Sequence, residues 1–272
     1  MAYISGIRLA VQGIPNVARW QVAWQEEAPR AVTSATRGAT VHYCGVMDWT
    51  ATIVCYGHTP TYLPGDSFIL QASLDGQRGI WGNAQVQSVR IIADVANQQG
   101  IMLAYSLLGD GPLNFGTVSI TDTMPPTITC PRHEIFLDDT DLPDVTFWQI
   151  VLSRSLPSYV STSTGGVRKR LSGIFQATVQ WRQLLTDATP PAVGSEYKYV
   201  VIVVPQQGQN PAKKWTLETI RVTQVEEYGV DATQSLQGNL PEYEITAQFQ
   251  PVVNGTQQKI IDPSGRQVWP PT

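Results

Sequence analysis

In the second half of the chain apolar and polar residues alternate over a long stretch. Val167, Leu171, Phe175, Ala177, Val179 and Trp181 fall on odd positions, and Arg168, Arg170, Ser172, Gln176, Thr178, Gln180 and Arg182 on even ones. Successive strand side chains point to opposite faces, so this pattern predicts a strand with one buried and one exposed side. Lys169 and Ile174 are the exceptions. The parity is the same 128 residues earlier, at Val41, Tyr43, Met47, Trp49, Ala51 and Ile53. Each stretch has about 15 residues and would span roughly 50 Å at the strand rise, well beyond an ordinary strand. Either the strand bends at Gly45 and Gly173, as glycine in a strand often does, or part of it projects beyond its domain.

The offset of 128 extends further. Ile14 to Ile53 aligns with Leu142 to Trp181 without a gap, and the identical pairs include Pro15/Pro143, Val17/Val145, Trp20/Trp148, Gln21/Gln149, Gly38/Gly166 and Gly45/Gly173. Such matches of Trp, Pro and Gly indicate an internal duplication. Beyond them the match loosens. Leu63-Pro64-Gly65-Asp66 parallels Ala192-Val193-Gly194-Ser195, Trp81 with Gln85 to Ile91 parallels Trp215 with Thr219 to Val225, and Gly100 to Leu107 parallels Glu242 to Phe249. Gln206 to Lys214 and Tyr228 to Asn239 read as loop insertions of the second copy. Pro125, Pro126 and Pro131 mark the junction, because proline ends regular elements. The expected architecture is all-β: two tandem β-sandwich or barrel domains, 1–124 and 125–261, followed by an extended tail, 262–272. Only a turn or two of helix is expected, around Ala93 to Gln99 and Gln180 to Ala188.

Trp20 and Trp148, in the same motif of each copy beside Val and Pro, are expected as core anchors rather than sugar-stacking platforms. Ahead of the long strands lie two polar stretches, Gln25 to Thr40 and Ser153 to Gly166. They are either surface loops or arms that order against a neighbouring subunit; their equal length in the two copies favours arms. Glu27, Arg30, Arg37, Arg168 and Arg170 are the candidate inter-subunit contacts there.

Composition adds little that conflicts. Only 15% of residues are charged, and 22 Gly with 19 Pro suit turns between strands. The net charge of −4 offers no electrostatic footprint for gripping nucleic acid. The N-terminal residues do not read as a signal peptide. The densest apolar run, Tyr197 to Val204, is far too short to span a membrane as a helix. Three scattered cysteines give no disulfide framework and fit folding in a reducing cytoplasm.

No nucleotide-binding, hydrolase or metalloprotease motif is present, and no catalytic residue or cofactor is expected. His42 and Cys44 with Cys55 and His58 have superficial zinc spacing. Cys44 and Cys55 differ in strand parity, however, and the second copy has Arg170, Ser172, Gln183 and Thr186 in their places. Asp138, Asp139, Asp141 and Asp144 offer oxygen ligands for calcium but lack the spacing of an EF-hand, so a solvated turn is the plainer reading.

The segment Tyr56 to Gly76, YGHTPTYLPGDSFILQASLDG, followed by Gly79, Gly82 and the strand Gln85 to Ile92, resembles the major tail tube proteins of long-tailed bacteriophages. The shared features are a Pro-Gly-Asp turn, a strand ending in Ser-Leu-Asp-Gly, a Gly-rich connection, and a last strand before Gly109-Asp110-Gly111. The resemblance implies a structural protein of the virion tail, assembled in the host cytoplasm. It would polymerise with itself as stacked rings, trimeric and pseudo-hexameric for a two-domain chain. DNA would pass through the lumen without specific binding, and the tape-measure, tail terminator and baseplate proteins would be its partners, with no membrane involved. Alternatives are a distal-tail or baseplate ring protein of the same fold, and a tandem carbohydrate-binding module with Trp81 and Trp215 as platforms.

Overall fold

The computed structural model describes residues 2–6, 11, 13–27, 30–32, 35, 37, 39–42, 45–73, 77–94, 100–118, 120, 133–184, 189–206, 209–228 and 242–271. The alternation becomes strand in both halves. The first half contains β1 (Ala2–Gly6), β2 (Val17–Glu27), β3 (Arg30–Ala31), β4 (Val41–His42), β5 (Val46–Tyr56), β6 (Ser67–Ser73), β7 (Arg78–Asp94), β8 (Met102–Gly109) and β9 (Asn114–Thr117). The second contains β10 (Glu134–Leu137), β11 (Thr140–Asp141), β12 (Val145–Arg154), β13 (Ser158–Tyr159), β14 (Lys169–Arg170), β15 (Phe175–Leu184), β16 (Glu196–Gln206), β17 (Gln209–Tyr228) and β18 (Glu242–Phe249). Four short strands follow: β19 (Val252–Val253), β20 (Thr256–Gln257), β21 (Ile260–Ile261) and β22 (Gln267–Trp269). The expected boundary near residue 124 falls in 121–132, outside the described residues.

Sixteen of these strands form one antiparallel sheet in the order β1-β2-β5-β8-β7-β12-β15-β18-β17-β16-β10-β11, with β6 and β9 beside β7, and β21 carrying β22 beside β17. The halves meet where β7 pairs with β12, from Ser88↔Ser153 to Asp94↔Phe147. One hydrophobic cluster runs through both, from Trp20, Trp49 and Tyr105 to Trp148, Trp181 and Trp215.

The two halves use the same ladders. Trp20↔Ile53 and Val22↔Ala51 in β2–β5 correspond to Trp148↔Trp181 and Ile150↔Val179 in β12–β15, each 128 residues on. The register irregularity between Val17 and Arg19 recurs between Val145 and Phe147 at that offset. Asn16 and Asp144 just before it both take φ 58°, a left-handed value that Asn and Asp tolerate better than most residues. A second irregularity, between Val86 and Ser88 in β7–β8, recurs between Val222 and Gln224 in β17–β18. The turns before β6 and β16 match as well: Gly65 and Gly194 have φ 99° and 91°, and their amides donate to Val86 O and Val222 O.

These ladders shift the looser sequence matches by two residues. Gln71 pairs with Trp81, whereas the corresponding Val200 pairs with Leu217. Trp81 therefore answers to Leu217 and Trp215 to Gly79. Likewise it is Met102 to Gly109, not Gly100 to Leu107, that answers to Glu242 to Phe249. Gln209 to Lys214, read as a loop, is strand that prolongs the β16–β17 hairpin, and Gln180 to Leu184 is strand rather than a helical turn. The rest of the second insertion, 229–241, lies outside the described residues.

The long alternating stretch breaks where glycine stands. In the second half, Gly173 donates to Ser155 O and Ser155 Oγ accepts from the Ile174 amide, both at 2.8 Å. A Cβ at Gly173 would lie 2.8 Å from the Ser155 carbonyl oxygen, so only glycine fits this close approach. Leu171, expected on the buried face, precedes the bend and is exposed, as is Met47 at the start of β5. From Trp49 and Phe175 onward the predicted faces hold. The C-terminal segment does not extend away. It folds back as the β21–β22 hairpin, with Asp262 Oδ1 accepting the amides of Ser264 and Arg266.

Candidate assembly interface

The two polar stretches each fold as a hairpin. Arg30↔His42 and Ala31↔Val41 pair in the first; Ser158↔Arg170 and Tyr159↔Lys169 pair in the second, at the offset of 128. Between β13 and β14 a single 3-10 turn, Thr162–Thr164, is closed by the Ser161 amide donating to Thr164 Oγ1 at 3.1 Å. The arms are therefore built structures whose strands are fixed by the same spacing as the core.

The second arm docks on the first half of its own chain. Arg170 donates through Nη2 to Asp48 Oδ1 at 2.6 Å and through Nε to Gly109 O at 3.1 Å. Its amide donates to Asp110 Oδ1 at 2.8 Å. Arg168 Nε lies 3.3 Å from Asp48 Oδ2, and Lys169 Nζ donates to Asp110 O at 3.0 Å. The Met47 amide donates to Gly166 O, and Met47 bridges Val167 in parallel. The Arg170 side chain keeps 8% of its surface exposed, so this charge-assisted network is largely shielded from water, where it is worth more than a surface ion pair. Arg168 and Arg170, expected to ion-pair between subunits, pair within the chain.

A second bridge lies near the C-terminal hairpin. Trp215 donates from Nε1 to His58 O at 3.1 Å. Arg266 donates from Nη2 to Pro60 O at 2.6 Å and is held by Asp262 at 2.9 Å. The Asp262 side chain is fully buried. Burial, reinforced by Lys213 and opposed by Asp262, lowers the His58 pKa.

The remaining candidates distribute as follows. Trp20 and Trp148 are buried at matching ladder positions, as anchors should be. Arg37 is exposed with φ 51°. Glu27 ends β2 and Arg30 begins β3. Trp215 is fully buried and offers no face to a sugar, while Trp81 is half-buried. Cys44 lies outside the described residues. Cys55 points into the core, where burial pushes its thiol up to about 12. Among the described residues no three His, Cys, Asp or Glu side chains gather at metal-binding distance. Asp138 and Asp139, with φ 47° and 69°, form the turn of the β10–β11 hairpin, and Asp138 Oδ1 accepts the Tyr199 amide. A shallow hollow of about 300 Å³ is lined by Ala18, Arg19, Val54, Tyr56, Ile92, Met102 and Ala104, with no carboxylate among them.

Sequence reasoning singled out the two polar stretches, with contacts expected on a neighbouring subunit, and missed Asp48 and Asp110, which receive the second hairpin within the chain, and the Asp262–Arg266 clasp. Only Asp110, within the Gly109-Asp110-Gly111 turn, carried any signal. Comparison with protein-family models and with curated proteins finds no match to this chain.

Proposed function

We propose that this chain is the structural subunit of a phage tail tube, two tube-type domains fused by duplication, which polymerises as stacked rings around a lumen for DNA. The observation that carries the reading is the repetition of ladders, irregularities and arm hairpins in both halves, joined head to tail through β7 and β12. Two like modules joined this way present unlike ends, and a heterologous contact that repeats between chains closes into a ring or runs on as a filament. Pairing sheet edges between chains also removes exposed edges that would otherwise aggregate. Three chains would supply six similar domains. The net charge of −4 fits a lumen that DNA traverses without being held. Tape-measure, tail terminator and baseplate proteins are the partners such a tube requires. The buried Trp215 counts against the tandem carbohydrate-binding reading.

Negative-stain electron microscopy of the purified chain over a range of concentrations tests the proposal. Hollow tubes of uniform width, or stacked rings with threefold averages, are expected. Single rings that never stack would instead indicate a distal-tail or baseplate ring protein, and compact monomers at every concentration would end the assembly reading.

A further inference from the structure

We infer that the outer edge of β17, from Thr223 to Tyr228, is an interaction surface for a second copy of this chain. The second copy offers β2 to it, in the register of the internal β7–β12 junction, and gives up its own β1 to do so. This rests on the assembly reading above and specifies its contact.

The internal junction is the template. On β7, β6 is the partner up to Ser67↔Gln85, and β12 then takes over the same edge from Ser88 onward. On β17, β16 is the partner up to Glu196↔Arg221. Beyond it, β18 holds the opposite edge through Tyr228, and among the described residues nothing pairs with the edge that β16 has left. Thr223, Gln224, Glu226 and Glu227 are exposed there and Val225 is half-buried, whereas the corresponding Val89 in β7 is covered completely. The second half thus ends in the strand edge that, in the first half, receives the next domain.

The complementary edge is occupied by a stand-in. β2 corresponds to β12, and β1 sits on β2 at the positions that β7 takes on β12. Gly6↔Trp20 answers to Ala93↔Trp148, Ile4↔Val22 to Ile91↔Ile150, and Ala2↔Trp24 to Val89↔Leu152. A five-residue N-terminal strand fills the place of a neighbour and is the segment that must leave when the neighbour arrives.

The arms follow the same spacing. At the internal junction the β13–β14 arm of the incoming domain grips Asp48 and Asp110 of the preceding one. Transposed, the β3–β4 arm of the second copy reaches the positions of Gln176 and Gln250, with Thr40, Val41 and His42 where the internal arm has Arg168, Lys169 and Arg170. The hairpin geometry recurs at this contact without the ion pairs. Glu227 stands where the first half has Ile91, and a charge on an open edge discourages indiscriminate pairing. It also makes this junction weaker than the internal one, so that ladder, arm and ring closure must act together.

Transposition places Gln224 opposite Gln25, as Ser88 is opposite Ser153. The test is a disulfide read on non-reducing gels, in full-length chain with Cys44, Cys55 and Cys130 changed to Ala. Gln25→Cys with Gln224→Cys should link chains into ladders of multimers, whereas Gln21→Cys with Gln224→Cys should not. Ser88→Cys with Ser153→Cys, closing within one chain, calibrates oxidation and folding. Deleting residues 2–6, or changing Glu227→Ile, should lower the concentration needed for assembly severalfold. Tubes or rings that link only in the off-register pair, or that assemble less readily without residues 2–6, overturn this contact while leaving the tube reading standing. A chain that stays monomeric with the calibrating disulfide formed overturns both.

Discussion

His133 shows how one side chain ties this core to pH. It lies edge-on to Trp148, with ring centroids 5.6 Å apart, and burial lowers its pKa from 6.5 to about 4. A histidine depressed by burial folds neutral, so its contribution is fully present above pH 6.5 and is lost as pH falls towards about 4. The urea midpoint of the wild-type chain is expected to drop between pH 7 and pH 4.5. In His133→Phe, which cannot be charged, the drop should be smaller; an equal drop in both would assign the acid sensitivity to the carboxylates. Trp148 itself illustrates why the anchors were legible. Burying an indole removes on the order of 200 Å² from water, a contribution of several kcal/mol, and no other residue fills that volume. The same large residue at the same motif position in both halves is therefore readable without a structure.

At the level of elements, the docked arm makes the sharpest prediction. Removing Arg170 strips Asp48 and the Gly109 carbonyl of a shared donor. Arg170→Ala should therefore cost about 1.5–3 kcal/mol, the usual worth of hydrogen bonds to charged groups. The loss should appear as faster amide exchange confined to 155–172 before any change in the core strands. Uniform loosening would mean that the arm is not a separate unit. Alternation predicted the strands, and glycine offered a bend at Gly173 as one of two alternatives, the one the structure takes. They did not separate a correct alignment of the later strands from one displaced by two, because a period-two pattern is blind to a slip of two while exposing a slip of one at once. The C-terminal hairpin was invisible for another reason. Proline and glycine argue for irregular chain, and the clasp that folds it depends on Asp262 meeting Arg266 and the Pro60 carbonyl, a partner far away in sequence. The receivers of the second arm were hidden likewise: Asp48 and Asp110 look like any solvated acid until the hairpin lies on them.

For the molecule as a whole, the consequence of a continuous sheet is cooperativity. The ladder from Ser88 to Asp94 against β12, the Arg170 network and the Trp215–His58 bond tie the two halves, and one hydrophobic cluster spans them. Thermal unfolding of the monomer is expected as a single transition with matching calorimetric and van't Hoff enthalpies. Two resolved transitions would mean that the halves are autonomous. The two tandem domains expected from the sequence carry no sign of this joint, because matching motifs mark like segments without marking what joins them.

From Ser88 to Ile92, β7 is paired on one edge with β8 of its own half and on the other with β12 of the second half, and this decides how the protein responds to load. A tether would let each half swivel. A shared strand transmits twist, so the angle between the halves is set by the right-handed coiling of the sheet itself. Pulled along its axis, the joint carries force in shear across every rung from Ser88 to Asp94 together, and it fails by breaking them at once rather than by unzipping. The protein is stiff where a two-domain chain is ordinarily a hinge.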